Sequence, residues 1–214
     1  MTRIALIHAL AHSVGPINDE LAREWPECQR MNLLDDSLSA DLAGSAQGLD
    51  AVMHRRFEAL ASYAEGTGAT AILFTCSAFG SCIEAVAARR PNLPVLKPNE
   101  AMVAEASTLG HRIGLIASFA PTLISMPSEF SKGVNVIPCM AEGALEALNH
   151  GEWDRHDDIV SASALHLVNQ GCDVIALAQF SMARAQDAVR RVVKVPVVTT
   201  PGSAVKFLRY RLGV

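Results

Sequence analysis

Short runs of aliphatic residues alternate with longer stretches of mixed polar and apolar residues along the whole chain. Continuous apolar runs of this length are typical of parallel β-strands that are covered on both faces. Strands that alternate with helical patterns predict an open, doubly wound α/β architecture. The candidate strands are Ile4–Ile7, Asn32–Leu34, Ala71–Phe74, Val95–Leu96, Ile113–Ile116, Val134–Ile137, Val174–Leu177 and Val195–Val198. The candidate helices are Gly48–Glu65, Ile83–Arg89, Asn99–Thr108, Ala141–Leu148, Asp157–Asn169 and Ala183–Val192.

The strand pattern is repeated, because three segments recur in the same order 102 to 109 residues later. Arg3–Ile7 returns as Arg112–Ile116, Gly68–Cys76 as Gly171–Gln179, and Leu93–Val95 as Val195–Val197. Three matches in one order favour two homologous halves over chance. We therefore predict two similar doubly wound parallel-sheet lobes related by a pseudo-two-fold axis. The predicted first lobe is residues 1–97 and the predicted second lobe is residues 98–200. The segment 201–214 is a candidate to pack back on the first lobe.

In open α/β sheets, ligands bind at the carboxyl ends of the strands, so the active site is predicted in the cleft between the lobes. Thr75 and Cys76 directly follow a candidate strand and precede a helix start. The N–H groups exposed at a helix start favour a thiolate over a thiol. Ser77 and Ala78 add backbone N–H groups near the place where a substrate carboxylate would sit. The local sequence leaves a second interpretation open, in which Cys76 is a buried cysteine without a catalytic role in a turn of small residues.

The first loop of each half contains residue types that suit an anion. Ser13 follows the first strand, and Ser118 and Thr122 follow its repeat. Hydroxyls and unpaired N–H groups near helix starts can bind a carboxylate or a phosphate. Ordinary N-capping by Ser13 and Thr122 is the alternative. His8, taken alone, is more typical of a hydrogen-bonded structural residue.

The overall composition narrows the class of partner. Half of the 214 residues are apolar, 19% are charged, and the formal net charge is −4 without any basic tract. This composition is that of a globular domain and argues against nucleic acid or an anionic membrane as a partner. The apolar run at the start stops at His8, and a run of this length is too short for a signal peptide or a membrane span. We expect a cytoplasmic protein.

The cysteines and histidines do not have the spacing of metal ligands. There are five cysteines and no CxxC motif, so neither a zinc site nor a disulfide framework is predicted. Five histidines also lack ligand-like spacing, and no bound metal is expected; they are His54, His111, His150, His156 and His166. For the cysteines other than Cys76, the expectation is a small buried apolar side chain.

Taken together, these segments resemble the aspartate/glutamate racemase superfamily, which includes hydantoin racemases, maleate isomerases and arylmalonate decarboxylases. The strongest marker is a strand followed by Thr75-Cys76-Ser77-Ala78, and the resemblance covers nearly the whole chain. It implies a two-lobed fold and proton transfer by thiols at the carbon next to a carboxylate, without a cofactor. It also implies a homo-oligomer. The segments that carry the resemblance are Arg3–Pro16, Asn32–Leu38, Thr75–Gly80, Ile113–Thr122 and Asp173–Ala183.

The resemblance also implies roles for single residues. Cys76 matches the first-lobe cysteine of the family's racemases, and its neighbours Ser77 and Ala78 match carboxylate-binding positions. Ser118 and Thr122 match the hydroxyl pair of the second lobe. The wider set of expected substrate-binding residues is His8, Ser13, Thr75, Ser77, Ala78, Ser118, Thr122 and Ser181. His8 falls where glutamate racemases carry an aspartate, so the role of that aspartate does not transfer directly.

The chain departs from the family pattern at Gln179. The segment Leu177–Ala183 resembles the family's Leu-Gly-Cys-Ala-Gly-Met-Ala, but glutamine stands in place of the second cysteine. A glutamine amide cannot exchange the second proton, but it can donate a hydrogen bond to a carboxylate or enolate oxygen. We therefore expect Cys76 and Gln179 to be the catalytic pair, and Ser181 to be too weak a base to replace a cysteine.

Three functions remain open from the sequence. The first is a racemase or isomerase with one thiol and a second proton carrier such as His8, His12, Lys97 or water. The second is a lyase resembling arylmalonate decarboxylase, or an isomerase in which Cys76 attacks an unsaturated diacid. The third is a protein that binds a small carboxylate without catalysis.

Overall fold

The computed structural model describes residues 2–45 and 47–214, and these residues contain two four-stranded parallel sheets. The first sheet has the order β2-β1-β3-β4 and the second has the order β6-β5-β7-β8. The strands are β1 (Arg3–His8), β2 (Gln29–Leu34), β3 (Ala71–Phe74), β4 (Val95–Leu96), β5 (Arg112–Ala117), β6 (Asn135–Met140), β7 (Val174–Leu177) and β8 (Val197–Thr199). The predicted parallel α/β architecture is confirmed, and the two halves share one strand order.

Helices connect the strands within each half. They are α1 (Val14–Glu24), α2 (Ser37–Gly44), α3 (Ala51–Gly66), α4 (Gly80–Ala88), α5 (Glu100–Leu109), α6 (Ala120–Ser125), α7 (Ala144–Asn149), α8 (Trp153–Asn169), α9 (Gln186–Val192) and α10 (Thr200–Leu212). Short 3-10 segments lie at Ala11–Ser13, Ser77–Phe79, Met126–Glu129 and Phe180–Ala185. The candidate helices do not include α1, α2, α6 or α10, although helices were expected after the loops that follow β1 and β5. The candidate Ala183–Val192 joined the last three residues of the 3-10 segment Phe180–Ala185 to α9.

Contacts divide the chain into two units. The first contains the residues up to Pro98 together with Ala204–Val214, and the second is Asn99–Ser203. In the first unit, α10 is attached through Arg209, whose Nη1 donates to the Glu24 carbonyl oxygen at 2.7 Å. The proposed assignment of lobes to 1–97 and 98–200 remains a prediction.

The first unit has an aromatic centre beneath the end of β3. The side chains of Phe57, Phe74 and Phe79 are buried, and the Phe57 ring lies 5.2 Å from Phe74 and 4.9 Å from Phe79, centroid to centroid. Stacked and tilted ring pairs at these distances are favourable beyond the burial of their surface. This cluster forms an apolar floor below the loop that follows β3.

The second unit needs a glycine in its central strand. A Cβ added to Gly114 in β5 would lie 2.8 Å from Leu167 Cδ1 on α8 and 3.0 Å from Ile175 Cδ1 on β7. The absence of a side chain therefore lets α8 pack closely on the sheet. β5 and β7 are buried on both faces, as their continuous aliphatic sequences predict.

Strand register places the ends of the two central strands side by side in each unit. Ile7 pairs with Phe74 in the first sheet and Ile116 pairs with Leu177 in the second. The ladder continues one residue further in both, since Thr75 N donates to Ile7 O at 3.0 Å and Ala178 N donates to Ile116 O at 2.9 Å. The side chains that follow these strands are therefore neighbours within their own unit.

In the described part of the chain, no helix is both long enough and apolar enough to span a membrane.

Candidate functional site

Cys76 lies at the carboxyl end of β3, in extended conformation, and is followed by the 3-10 segment Ser77–Phe79. Burial raises the pKa of the Cys76 thiol, and the backbone N–H of Ala78 and the side chain of Ser39 on α2 lower it with smaller effect. The N–H group expected at this turn is present, but desolvation outweighs it and the neutral thiol is favoured.

The desolvation comes from the apolar surroundings of the sulfur. A void of about 170 Å³, too narrow for a water-sized sphere, lies against Cys76. It is lined by Ile7, His8, Ala9, Leu38, Phe57, Phe74, Cys76 and Phe79. With no water and mostly hydrocarbon on this side, a thiolate depends on the Ala78 and Ser39 donors for its stabilisation.

Beside the thiol, His8 is wholly buried at the end of β1. Its Nδ1 lies 2.9 Å from Thr75 Oγ1 and 3.2 Å from Ser13 Oγ, and its Nε2 lies 2.9 Å from Asn32 Oδ1. Because the Asn32 carbonyl oxygen only accepts, we assign the ring hydrogen to Nε2. Burial lowers the pKa of His8, and the hydrogen bond to Asn32 opposes this shift. His8 is therefore neutral at neutral pH, with Nδ1 as an acceptor.

The hydroxyls of Ser13 and Thr75 belong to the same buried network. Their oxygens are 2.8 Å apart, and Ser13 Oγ also donates to the Leu10 carbonyl oxygen at 2.7 Å. Ser13 makes no side-chain capping bond to α1, so the N-capping alternative is wrong for this residue. The structure brings His8, Ser13 and Thr75 together as a hydrogen-bonded support behind the Cys76 loop. Their contact with a substrate remains a prediction.

At the equivalent strand ends of the second unit, Gln179 is anchored by Ser118. Gln179 Oε1 accepts from Ser118 N at 2.5 Å and from Ser118 Oγ at 3.0 Å. This fixes the orientation of the amide and presents Nε2 as a donor, for which we find no acceptor among residues 2–45 and 47–214. Both residues are partly exposed. The amide oxygen is committed to the protein, and only the NH2 group is left to bind a ligand.

The remaining predicted site residues differ in exposure. Ser77 and Ala78 are exposed and Ser181 is partly exposed, whereas Thr122 is buried within α6. Phe119 occupies the N-cap of α6, so the capping alternative is also wrong for Thr122. Ser181 lies in a segment that is fixed by Arg184, a residue that makes two hydrogen bonds to the carboxylate of Asp157, at 2.9 and 3.0 Å.

Two other residues considered as proton carriers have different environments. Lys97 Nζ forms an ion pair with Glu84 Oε1 at 2.9 Å, whereas His12 is exposed in the 3-10 segment Ala11–Ser13.

The described residues contain no group of three or more His, Cys, Asp or Glu side chains that could hold a metal ion. All five cysteines are free. Cys28, Cys82 and Cys172 are buried, as predicted, and Cys139 is partly exposed. The expectation of a reaction without metal or cofactor remains a prediction.

Ser39 is the site residue that the sequence did not reveal. It lies on α2, its Oγ donates to the Ala9 carbonyl oxygen at 3.0 Å, and its side chain is one of the groups that lower the pKa of the Cys76 thiol. Only the packing of α2 against the end of β3 identifies the serine.

The two units share one topology of parallel strands and helices. The first has the Cys76 thiol after its central strand, and the second has the Gln179 amide at the equivalent position. This arrangement defines the class of the protein as a duplicated α/β enzyme. The model of the family described as Asp/Glu/Hydantoin racemase matches residues 17–208, and the chain belongs to that family. The predicted membership and the prediction of a racemase or isomerase are thereby confirmed. No curated protein sequence matches the chain.

Solved structures share the fold at low identity. An aspartate racemase homologue from Pyrococcus horikoshii OT3 has a TM-score of 0.75 and 15% identity, over 100% of both chains. A glutamate racemase from Francisella tularensis subsp. tularensis SCHU S4, in complex with D-glutamate, has a TM-score of 0.69 and 15% identity, over 99% of this chain and 81% of its own. A mutant arylmalonate decarboxylase in a sulfate-associated form has a TM-score of 0.70 and 21% identity, over 99% and 94%.

Proposed function

We propose that this protein is a cofactor-independent racemase or isomerase in which Cys76 transfers the proton at the carbon next to a carboxylate. The observation that carries the proposal is the position of the thiol at the carboxyl end of β3, directly before the 3-10 segment Ser77–Phe79. Donors at this point offset the charge that develops when the sulfur loses its proton. A desolvated thiol next to fixed donors is suited to proton transfer to or from carbon.

Gln179 takes the position of the second cysteine in the internal repeat, and we propose that it acts as a hydrogen-bond donor. Its Nε2 is directed by the two bonds from Ser118 to Oε1, so the amide presents N–H to an oxygen of the substrate. A carboxylate or an enolate oxygen is the matching acceptor. Gln179 carries no proton in the reaction, and the proton on the second side comes from another group or from water.

The substrate class that we propose is a small carboxylate. The glutamate racemase in the comparison was solved with D-glutamate, an amino acid with two carboxylates. The residues proposed to bind the substrate are His8, Ser13, Thr75, Ser77, Ala78, Ser118, Thr122 and Ser181. A cytoplasmic location and a homo-oligomeric state remain predictions from the sequence.

A second candidate function is a one-thiol decarboxylase. Its support is the raised pKa of Cys76, since burial favours the neutral thiol. Loss of carbon dioxide produces a carbanion without any base, and the carbanion then requires only a proton donor. A neutral thiol supplies that proton directly, whereas racemisation must begin with a thiolate.

Proton–deuterium exchange at the α-carbon, followed by NMR in D2O, tests the proposal on amino acids, hydantoins and substituted malonates. We expect exchange with at least one member of the first two groups, and its loss in Cys76→Ser. Cys82→Ser is the matched control, because Cys82 is buried in the same unit and lies on α4 instead of at a strand end. Exchange that is unaffected by Cys76→Ser would refute the thiol mechanism. Carbon dioxide release from a malonate, lost in the same variant, would favour the decarboxylase.

A further inference from the structure

The 3-10 segment Phe180–Ala185, which directly follows Gln179, is six residues long. Its counterpart after Cys76, Ser77–Phe79, has three residues and leads directly into α4. Hydrogen bonds in 3-10 helices have poor geometry, and runs longer than about three or four residues are uncommon. A segment of this length therefore depends on contacts with other elements to keep its shape.

Arg184, near the end of this segment, makes such a contact with α8. Its Nε donates to Asp157 Oδ1 at 2.9 Å and its Nη2 donates to Asp157 Oδ2 at 3.0 Å. A guanidinium that binds both oxygens of one carboxylate fixes the direction of the contact as well as its length. The Arg184 Cζ also lies 5.0 Å from the centre of the Trp153 ring, so a second residue of α8 holds the guanidinium.

The carboxylate of Asp157 is itself held in place. Its side chain is 18% exposed, and Oδ1 lies 2.8 Å from Nδ1 of the buried His156. Because a carboxylate only accepts, we assign the ring hydrogen of His156 to Nδ1. Limited exposure also reduces the screening that weakens ion pairs on the surface. Asp157 therefore gives Arg184 a partner whose position is fixed.

The start of the segment is connected to Gln179 through the backbone. Met182 N donates to Gln179 O at 3.0 Å, and the side chains of Phe180 and Met182 are buried. A displacement of the segment therefore moves the backbone of Gln179. On the other side, Ser118 holds the amide oxygen of Gln179. The direction of Nε2 thus depends on both Ser118 and the segment.

We propose that Arg184 is a positioning residue, whose contact with Asp157 holds the segment Phe180–Ala185 and thereby keeps the Gln179 amide directed at the substrate. The inference rests on the proposed role of Gln179 as a hydrogen-bond donor. Arg184 acts through Gln179 and contacts no reacting atom. Without the Arg184–Asp157 pair, the backbone of Gln179 gains freedom, and its Nε2 is correctly directed for a smaller fraction of the time.

The first test observes the Gln179 amide without any substrate. In two-dimensional nitrogen–proton NMR spectra, the side-chain NH2 signals of Gln179 are those missing from Gln179→Met. We expect Arg184→Met and Asp157→Asn to shift or broaden these signals, because each variant removes one side of the pair. Arg190→Gln is the matched control and should leave them unchanged, since Arg190 forms an exposed ion pair with Asp187 at 4.0 Å within α9.

The second test is a double-mutant cycle on the KM for α-proton exchange. We expect Arg184→Met to raise KM by about three- to tenfold, which is the loss expected when one hydrogen bond is no longer held in place. In the Gln179→Met background, Arg184→Met should leave KM unchanged, because no donor remains to be positioned. A merely structural role of Arg184 would instead raise KM in both backgrounds. The thermal midpoint of each variant checks that it is folded.

Unchanged Gln179 signals in Arg184→Met and Asp157→Asn would overturn the inference. Equal effects of Arg184→Met on KM with and without Gln179 would also overturn it. The NMR test needs no turnover, so its outcome is separate from the exchange test of the proposed function. If Cys76→Ser abolishes exchange while the Gln179 signals stay unchanged in both variants of the pair, the proposed function stands and the role of Arg184 fails.

Discussion

Replacing Gln179 by glutamate separates the anchoring role of this side chain from its role as a donor. Glutamate keeps the shape of the side chain and an oxygen for the two bonds from Ser118, at 2.5 and 3.0 Å. It loses the Nε2 donor and adds a negative charge. The exchange therefore preserves the local fold and changes only what the side chain presents to a ligand.

The expected effect on KM is large, because the carboxylate introduced at position 179 would lie beside the carboxylate of the substrate. A hydrogen bond to a charged group contributes about 1.5–3 kcal/mol, so its loss alone raises KM by about 10- to 150-fold. Repulsion between two charges about 4 Å apart adds up to roughly 4 kcal/mol at an effective dielectric constant of about 20. Partial exposure of Gln179 reduces this second contribution. We expect KM to rise by at least about tenfold in Gln179→Glu.

The assay is the KM for α-proton exchange with a substrate found in the NMR screen, together with the thermal midpoint of each variant. Gln179→Met serves as the comparison, since it removes the acceptor as well as the donor. Leaving the Ser118 N–H without its partner should cost about 1 kcal/mol, and hence about 2–4 °C in Tm. An unchanged KM in Gln179→Glu, with Tm preserved, would refute the assignment of Gln179 as the donor to the substrate.

Three further substitutions test the packing of helices on the sheet and the contribution of titratable side chains to stability. Glu58→Gln should lower the free energy of unfolding by about 2 kcal/mol in denaturant titrations, because the buried Arg90 loses the carboxylate bound at 2.7 and 3.1 Å. The Arg90 hydrogen bond holds the pKa of Glu58 below its usual value, so the wild type loses this stability as pH falls through that lowered pKa. Burial lowers the pKa of His8, so the unfolded chain binds a proton at this histidine at a higher pH than the folded chain does. The free energy of unfolding therefore falls as pH drops below about 6.5, by at most about 1.4 kcal/mol per pH unit. His8→Gln should flatten this dependence of stability on pH in urea titrations. Gly114→Ala should lower the unfolding free energy by about 1–3 kcal/mol, because its Cβ meets Leu167 at 2.8 Å, and the shift in Tm measures it.

Each of these expectations has a contrary outcome. A Glu58→Gln variant as stable as the wild type at neutral pH would show that Glu65, which bonds Arg90 Nε at 3.0 Å, suffices alone. An unchanged pH slope in His8→Gln would mean that another group titrates in that range. A Gly114→Ala variant with the wild-type Tm would mean that α8 moves away at little cost.

The continuous aliphatic strands were predictable because burial on both faces leaves little room for polar residues. Ala71–Phe74 and Val174–Leu177 agree with the structure at both ends. β2 was missed except for its last residues, because it is an edge strand whose sequence, Gln29–Leu34, alternates between exposed and partly buried positions. An edge strand lies beside one neighbour and keeps polar side chains in solvent, so the rule for buried strands does not detect it.

The chemistry at Cys76 was only partly predictable. Its place after β3 followed from the strand pattern, and the expected N–H contact comes from Ala78. The expected shift toward thiolate did not follow, because Phe57 and Phe79 pack beneath the sulfur and desolvate it. A residue's hydration depends on the side chains that other elements bring to it, and local sequence does not contain that information.

The sequence by itself determined the repeated strand order and which residues stand at the ends of the strands, since both depend on periodicity and on position along the chain. It therefore located Cys76 and Gln179 at equivalent strand ends. Tertiary structure alone decided what surrounds them: apolar side chains desolvate Cys76, and Ser118 turns the Gln179 amide so that only its NH2 group is free. Hydrogen bonds between residues tens of positions apart depend on how helices pack on the sheet, and this packing sets the charge and the donors of the site.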